Sequence, residues 1–500
     1  WEPVMRCLVF ACLLALCAAQ RYDWDVETPL DEYVNRFDPL TNLEFVESEN
    51  AIGATVYVYR LTSGSWIDEN YSNSPEWWHW LTVAIPDDAR VLDTAHLYIT
   101  GGSNSDTGPG SHNYIVDFAR QTGAVAARLQ QIPNQPINFY DSGPLIEDAI
   151  IARTWRHYIE EAGDPNPDWI LQMPMTRAGK VAMDYVIDEV SSIDNRFNID
   201  KYIPTGISKR GWIAWLLAGV DPRVVGTCPT VLDILGWYEN LHHHNMAYGG
   251  WSFAFAPYWN DQIPYYIEHP RSFEIFDELG IDPLIYNPRM VDMPKLLSVA
   301  SMDEFFLPDD THYFWEELNG PKYMTLYENT GHGMAGQGAR RDANIMSFFM
   351  AITSGFDMPQ VSWTRTETET EGWIDVTTDR APNMIQAWWA DTTPRTCEST
   401  GPGSEICRRD FRGSTNDVAV NPVEFEAVPV DDLGGNNYQA RFDLRDDWAD
   451  EAGFRGFFVQ MEFDGVDGRT LDFTTEIHII QDFLPFPRCQ TPEECQGVLK

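Results

Sequence analysis

Over roughly 200 residues, short apolar runs alternate with longer segments of helical spacing, and this alternation narrows the possible folds more than any other feature of the chain. "GATVYVYRLTSGSW" and "WWHWLTVAIP" read as two strands around a polar loop, and "TAHLYITGG" as a further strand ending in a glycine pair. "NYIVDFARQTGAVAARLQ" then carries helical spacing, "QPINF" is a short strand, and "IEDAIIARTWRHYIEEA" is an amphipathic helix. "WILQMPMTRAGKVAMDYVIDEV" contains another helix and leads into the strand "KYIPTGIS". "RVVGTCPTVLD", "MPKLLSVAS" and "KYMTLYENTG" continue the strands, the last closing the core. Strands separated by helices need crossover connections, so the expected fold class is α/β, a mostly parallel sheet with helices on both faces.

Two segments depart from that rhythm. "LGWYENLHHHNMAYGGWSFAFAPYWNDQIPYYIEHP" is dense in aromatics without clean periodicity, which suits either a lid over a pocket or an insertion that packs. After about Gln360 the texture becomes β-rich, with "GFRGFFVQMEF" and "LDFTTEIHII" among short alternating runs between Gly, Pro, Asn and Asp turns. The expected organisation is an α/β domain over 20–358 with an aromatic lid at about 236–270, a β-sandwich over 359–487 and a cysteine-containing tail at 488–500.

An extracellular location is expected from the start of the chain and its cysteines. "MRCLVFACLLALCAAQ" has a basic start, an apolar run and a small-residue end, so 1–19 reads as a secretory signal, with 1–4 as an upstream extension. That run is shorter than the ~20 residues a membrane span needs. Of eight cysteines, Cys7, Cys12 and Cys17 leave with the signal. Cys397 with Cys407, and Cys489 with Cys495, are expected as short-loop disulfides in an oxidising compartment. Cys228 is left as an inert core thiol. Asn70 opens the sequon Asn70-Tyr71-Ser72, a glycosylation acceptor on a surface loop. The formal charge of -42, from 76 acidic and 34 basic residues, excludes nucleic acid as a partner. No C-x-x-C pair is present, and the run His242-His243-His244 cannot aim three rings at one ion, so it reads as a polar patch in the lid. No metal or cofactor is expected.

The chemistry is expected around "YIPTGISKRGW". A strand, a tight turn at Ser208 and an apolar helix are where a hydrolase presents a nucleophile. Gly206 leaves room for the turning strand, and the Lys209 N–H would be one oxyanion donor at the helix start. Arg210, however, stands where the G-x-S-x-G pattern has its second glycine, and Gly211 follows it. The second donor is expected from "ITGGSN", at Gly102 and Ser103. In chain order a nucleophile is followed by an acid and a histidine. Asp303 follows one strand end and His332 the next, with Glu304, Asp309 and Asp310 as rival acids. Glu147-Asp148 reads as acid at a helix start, favouring the helix dipole, and Trp77, Trp78 and Trp80 as packing residues.

These motifs, in order, resemble those of the PhoPQ-activated pathogenicity-related protein family. "WWHWLTVAIP", "YITGGSN", "EDAIIARTW", "MPMTRAGKVAMD", "GISKRGW", "ASMDEFF", "NTGHG" and "RGFFVQMEF" carry the resemblance, which runs from about Leu30 to Pro487. It implies an α/β-hydrolase-like domain followed by a β-rich one, and an elbow that reads G-x-S-K-R-G as a family trait. The family has bacterial members and secreted eukaryotic members of the proliferation-repressor type. Two functions are therefore expected: a secreted serine hydrolase acting on a peptide or ester through Ser208, Asp303 and His332, or a non-enzymatic secreted signal that binds a cell-surface receptor or a secreted protein partner on a hydrolase scaffold.

Overall fold

Side chains alternate between the faces of a strand, and in this protein both faces of the central sheet are covered. The computed structural model describes residues 27–401, 404–415, 421–444 and 453–500. The expected signal sequence and the extension before it lie outside the described residues.

Nine strands form the central sheet: β1 (Asn42–Ala51), β2 (Ala54–Ser65), β3 (Glu76–Pro86), β4 (Thr94–Ile99), β5 (Ala126–Leu129), β6 (Lys201–Ile207), β7 (Cys228–Thr230), β8 (Lys295–Ala300) and β9 (Lys322–Tyr327). Their spatial order is β1-β2-β3-β5-β4-β6-β7-β8-β9. The first three contacts along that order are antiparallel and the remaining five are parallel. This is the mostly parallel sheet that the alternation implied.

Period-2 burial feeds two cores. Leu297 and Val299 of β8, and Met324 and Leu326 of β9, enter one core; Leu296 and Tyr323 enter the other. The first core is closed by α2 (Asp148–Glu160), α3 (Gln172–Ile193) and α4 (Lys209–Val220). The second is closed by α1 (Asn113–Thr122), through Ile115 and Phe118, and by α6 (Gly338–Ser354), through Ile345, Phe348 and Phe349. The helical spacing read across 113–130 is corrected here. Gly123 takes a left-handed cap at φ 70 and ends α1, and Ala126–Leu129 pairs in the sheet as β5.

Between β7 and β8 the chain is helical, beginning with α5 (Trp237–Tyr248) and continuing in short turns to Met290. These segments roof the C-terminal ends of the parallel strands. Residues 491–500 fold back onto the roof. The Trp251 N–H donates to Val498 O at 2.8 Å, Lys500 N–H to Trp251 O at 2.7 Å, and Trp259 Nε1–H to Gln496 O at 2.9 Å.

The C-terminal region builds two antiparallel sheets. One orders strands 361–367, 371–378, 437–443 and 431–434; the other orders 426–428, 384–391, 455–464 and 470–474, with 478–480 also pairing on 455–464. Ile374 and Ala440 from the first meet Phe457 and Val459 from the second in a shared core, the sandwich expected from the texture change. The strand at 470–474 lies against β9, where Leu326 N–H donates to Thr474 Oγ1 at 2.9 Å, so the outer edge of the main sheet is covered. The two disulfides are Cys397–Cys407 and Cys489–Cys495, and Cys228 is free and buried. Burial raises the Cys228 thiol well above its usual range, which keeps it unreactive. Asn70 is exposed in the turn after β2. Among the described residues, no helix is long and apolar enough to cross a membrane.

Candidate active site

Ser208 joins β6 to α4 as the N-cap of the helix, at φ 59 and ψ −130. A side chain in that region carries strain of about 1–3 kcal/mol, held by the surrounding contacts. The Ser208 N–H donates to Thr230 O at 2.9 Å, and its carbonyl accepts from Trp212 N–H at 3.0 Å. A Cβ on Gly206 would stand 2.3 Å from the Arg210 carbonyl, and one on Gly211 would stand 3.0 Å from the carbonyls of Gly206 and Thr230. The elbow therefore needs small residues at 206 and 211. The second glycine of the usual pattern is displaced by one residue, which frees Arg210 to turn sideways. Its guanidinium packs against Gly101, donates to Ile132 O and reaches Glu147 Oε1 at 2.7 Å.

His332 and Asp303 approach from two other strand ends. Asp303 follows β8, is buried, and accepts the N–H of Phe305 at 2.7 Å and of Phe306 at 3.2 Å. His332 follows β9, and its Nδ1 lies 2.9 Å from both Asp303 oxygens. A carboxylate can only accept, so the proton sits on Nδ1 and leaves Nε2 as an acceptor. Nε2 lies 2.8 Å from Ser208 Oγ. The three groups stand in line, as a hydroxyl proton needs in order to pass to an imidazole that a carboxylate orients. Glu304, a rival acid, accepts the His332 backbone N–H at 2.8 Å and fixes that loop. Asp309 and Asp310 are engaged elsewhere, on either side of His243.

The expected oxyanion donors divide. Lys209 is the first residue of α4, so its N–H is among those a helix leaves without an internal partner. Gly102 lies in the loop that follows β4, whose last residue pairs with Gly206 of β6. Ser103 is corrected: its N–H is committed to Asp106 Oδ2 at 2.8 Å.

The Lys209 side chain is buried, and its Nζ lies 2.8 Å from Glu147 Oε2 and 3.0 Å from Asp148 Oδ2. Glu147 and Asp148 stand at the start of α2, as the helix-dipole reading has it, and they also pair with the two cations that follow Ser208. Burial works against ionisation of Glu147, but the hydrogen bond and charge of Arg210, with Lys209 beside them, outweigh it and hold the carboxyl down at about 2. Glu147 itself sits at φ 53. The signal available in the sequence was an acidic dipeptide matched by a basic one.

Ser208, Lys209 and Asp148 open onto a pocket walled by Trp155, Trp212, Trp237, Phe255, Tyr258 and Phe276. Four of these, Trp237, Phe255, Tyr258 and Phe276, come from the helical segment between β7 and β8. The three consecutive histidines lie on α5 in the expected lid segment, each buried and each with polar partners. His242 pairs with Glu268 at 2.8 Å, His243 lies between Asp309 and Asp310, and His244 Nε2 accepts the Ser252 N–H at 2.9 Å.

A family model described as PhoPQ-activated pathogenicity-related protein matches residues 30–397. The chain is 32% identical over 489 residues to autocrine proliferation repressor protein A of Dictyostelium discoideum, covering 94% of this chain and 93% of that protein. Among solved structures, acetyl xylan esterase from Paenibacillus sp. R4 aligns with a TM-score of 0.44 and 15% identity, over 66% of this chain and 92% of its own. Acetyl xylan esterase 1 from Thermoanaerobacterium sp. JW/SL YS485 aligns with a TM-score of 0.43 and 18% identity, over 65% of this chain and 93% of its own.

Proposed function

The chain belongs to the PhoPQ-activated pathogenicity-related protein family, and from that premise we propose that it is a secreted serine hydrolase that cleaves an ester or peptide bond. One observation carries the reading: Ser208 Oγ, at a strained elbow, lies 2.8 Å from an imidazole nitrogen whose partner nitrogen is held by a buried carboxylate.

Ser208 Oγ attacks the acyl carbonyl carbon as its proton passes to His332 Nε2. Asp303 stabilises the imidazolium, and the N–H of Lys209 with the backbone at Gly102 receives the oxyanion. Collapse breaks the bond to the leaving group, which takes the proton from Nε2. Water then repeats the sequence and frees the acyl group and the serine. Extracellular residence is supported by the two disulfides and by the exposed Asn70 sequon.

The test is labelling with a fluorophosphonate probe, which captures an activated serine. Wild-type protein is expected to label and Ser208→Ala to remain unlabelled with the same melting temperature. A folded wild type that takes up no probe overturns the reading.

A second reading is favoured by the name of the Dictyostelium relative: a secreted repressor of proliferation that binds a cell-surface receptor or another secreted protein. Ser208→Ala separates the two. A signal that needs no hydrolysis keeps full potency in this variant, and one that depends on hydrolysis loses it.

A further inference from the structure

The pocket beside Ser208 has no spare charge. Two cations, Lys209 and Arg210, face two carboxylates, Glu147 and Asp148, at 2.7 to 3.0 Å. The Tyr258 hydroxyl donates to Asp148 Oδ1 at 3.0 Å and occupies a remaining acceptor. A charged substrate group entering here would be desolvated without a counter-charge, a cost that uncharged groups escape.

The walls are filled by each other. The Trp155 ring meets Trp212, Trp237, Tyr258 and Phe276 at centroid distances between 5.2 and 6.1 Å. Trp237 stacks on Trp212 at 4.4 Å and on Phe276 at 5.4 Å. The aromatic rings thus pair with one another and do not frame a slot for a further ring. The cavity volume is about 40 Å³, well under the roughly 150 Å³ of an apolar cavity that admits benzene.

His332 does not line this cavity. A leaving group must receive its proton from His332 Nε2, so it stands on the histidine side, and the pocket belongs to the acyl half of the substrate. We propose that the pocket selects a short, uncharged, aliphatic acyl group, smaller than a benzene ring. The proposal rests on the hydrolase reading and deepens it.

The experiment measures kcat/KM for the 4-methylumbelliferyl acetate, butyrate, octanoate, benzoate and hemiglutarate esters, beside fluorophosphonate labelling of the same preparation. Each methylene that fits is expected to raise kcat/KM about fourfold, the effect of burying one such group. Acetate and butyrate are expected to exceed octanoate and benzoate at least tenfold, and the anionic hemiglutarate at least a hundredfold. Asp148→Asn removes one of the two negative charges and leaves a net positive floor, so the hemiglutarate-to-butyrate ratio is expected to rise at least tenfold. A structural defect would lower both esters together. Labelled protein that prefers octanoate or benzoate, or an Asp148→Asn variant with an unchanged ratio, overturns this proposal and leaves the hydrolase reading intact. Protein that neither labels nor cleaves any ester overturns both.

Discussion

Ser208 is held in a conformation that L-residues avoid, and this costs stability. Replacement by alanine removes the hydroxyl and keeps the strain, while glycine removes both. Ser208→Gly is therefore expected to be more stable than Ser208→Ala by about 1 kcal/mol, measured as a difference in urea midpoints, with both inactive. Equal midpoints would mean that the elbow is relaxed. A second residue, His243, governs alkaline stability. Burial alone would lower its pKa, but the carboxylates of Asp309 and Asp310 outweigh burial and raise it to about 9 from 6.5. Its contribution is complete below the unfolded value and is lost as pH rises through the folded one. The melting temperature is expected to fall between pH 6.5 and 9, and His243→Gln to flatten that limb of the profile.

Elements differ in how much of them the sequence discloses. β8 and β9 are mostly apolar, buried along nearly their whole length and bounded by turns, so they are legible as buried strands. β5 is the four-residue run Ala126-Ala127-Arg128-Leu129, which continues the helical spacing before it and becomes a strand because β3 and β4 offer both its edges. β1 is polar and exposed along most of its length, with Glu44, Glu47 and Glu49 on an edge, so no alternation marks it. The three residues proposed for catalysis were legible because each follows a recognisable strand in the required order. The pairing of Lys209 and Arg210 with Glu147 and Asp148 was hidden, because about 60 residues separate groups that meet only when α2 packs beside α4. The roof over the pocket depends on a further element, the tail. Removing residues 488–500 deletes its hydrogen bonds to Trp251, Phe253 and Trp259. The truncated protein is expected to lose on the order of 3 kcal/mol of stability and to admit long-chain esters. Unchanged melting and unchanged chain-length preference would show the roof to be self-supporting.

At the scale of the molecule, three loops converge because parallel strands place their C-terminal ends on one rim of the sheet. β6 brings the hydroxyl, β8 the carboxylate and β9 the imidazole, and the C-terminal sheets brace β9 from the other side. The acidic excess of the chain repels itself in the folded state, and it is spread over both regions without forming a tail. The most direct measurement of the central claim is peptide mass spectrometry of protein quenched in acid during turnover of an ester. The predicted result is one acyl group per molecule, carried on the peptide containing Ser208 and absent when His332 is replaced by alanine. Acyl mass found on a different peptide, or a turning-over protein whose Ser208 peptide stays unmodified, would contradict the account.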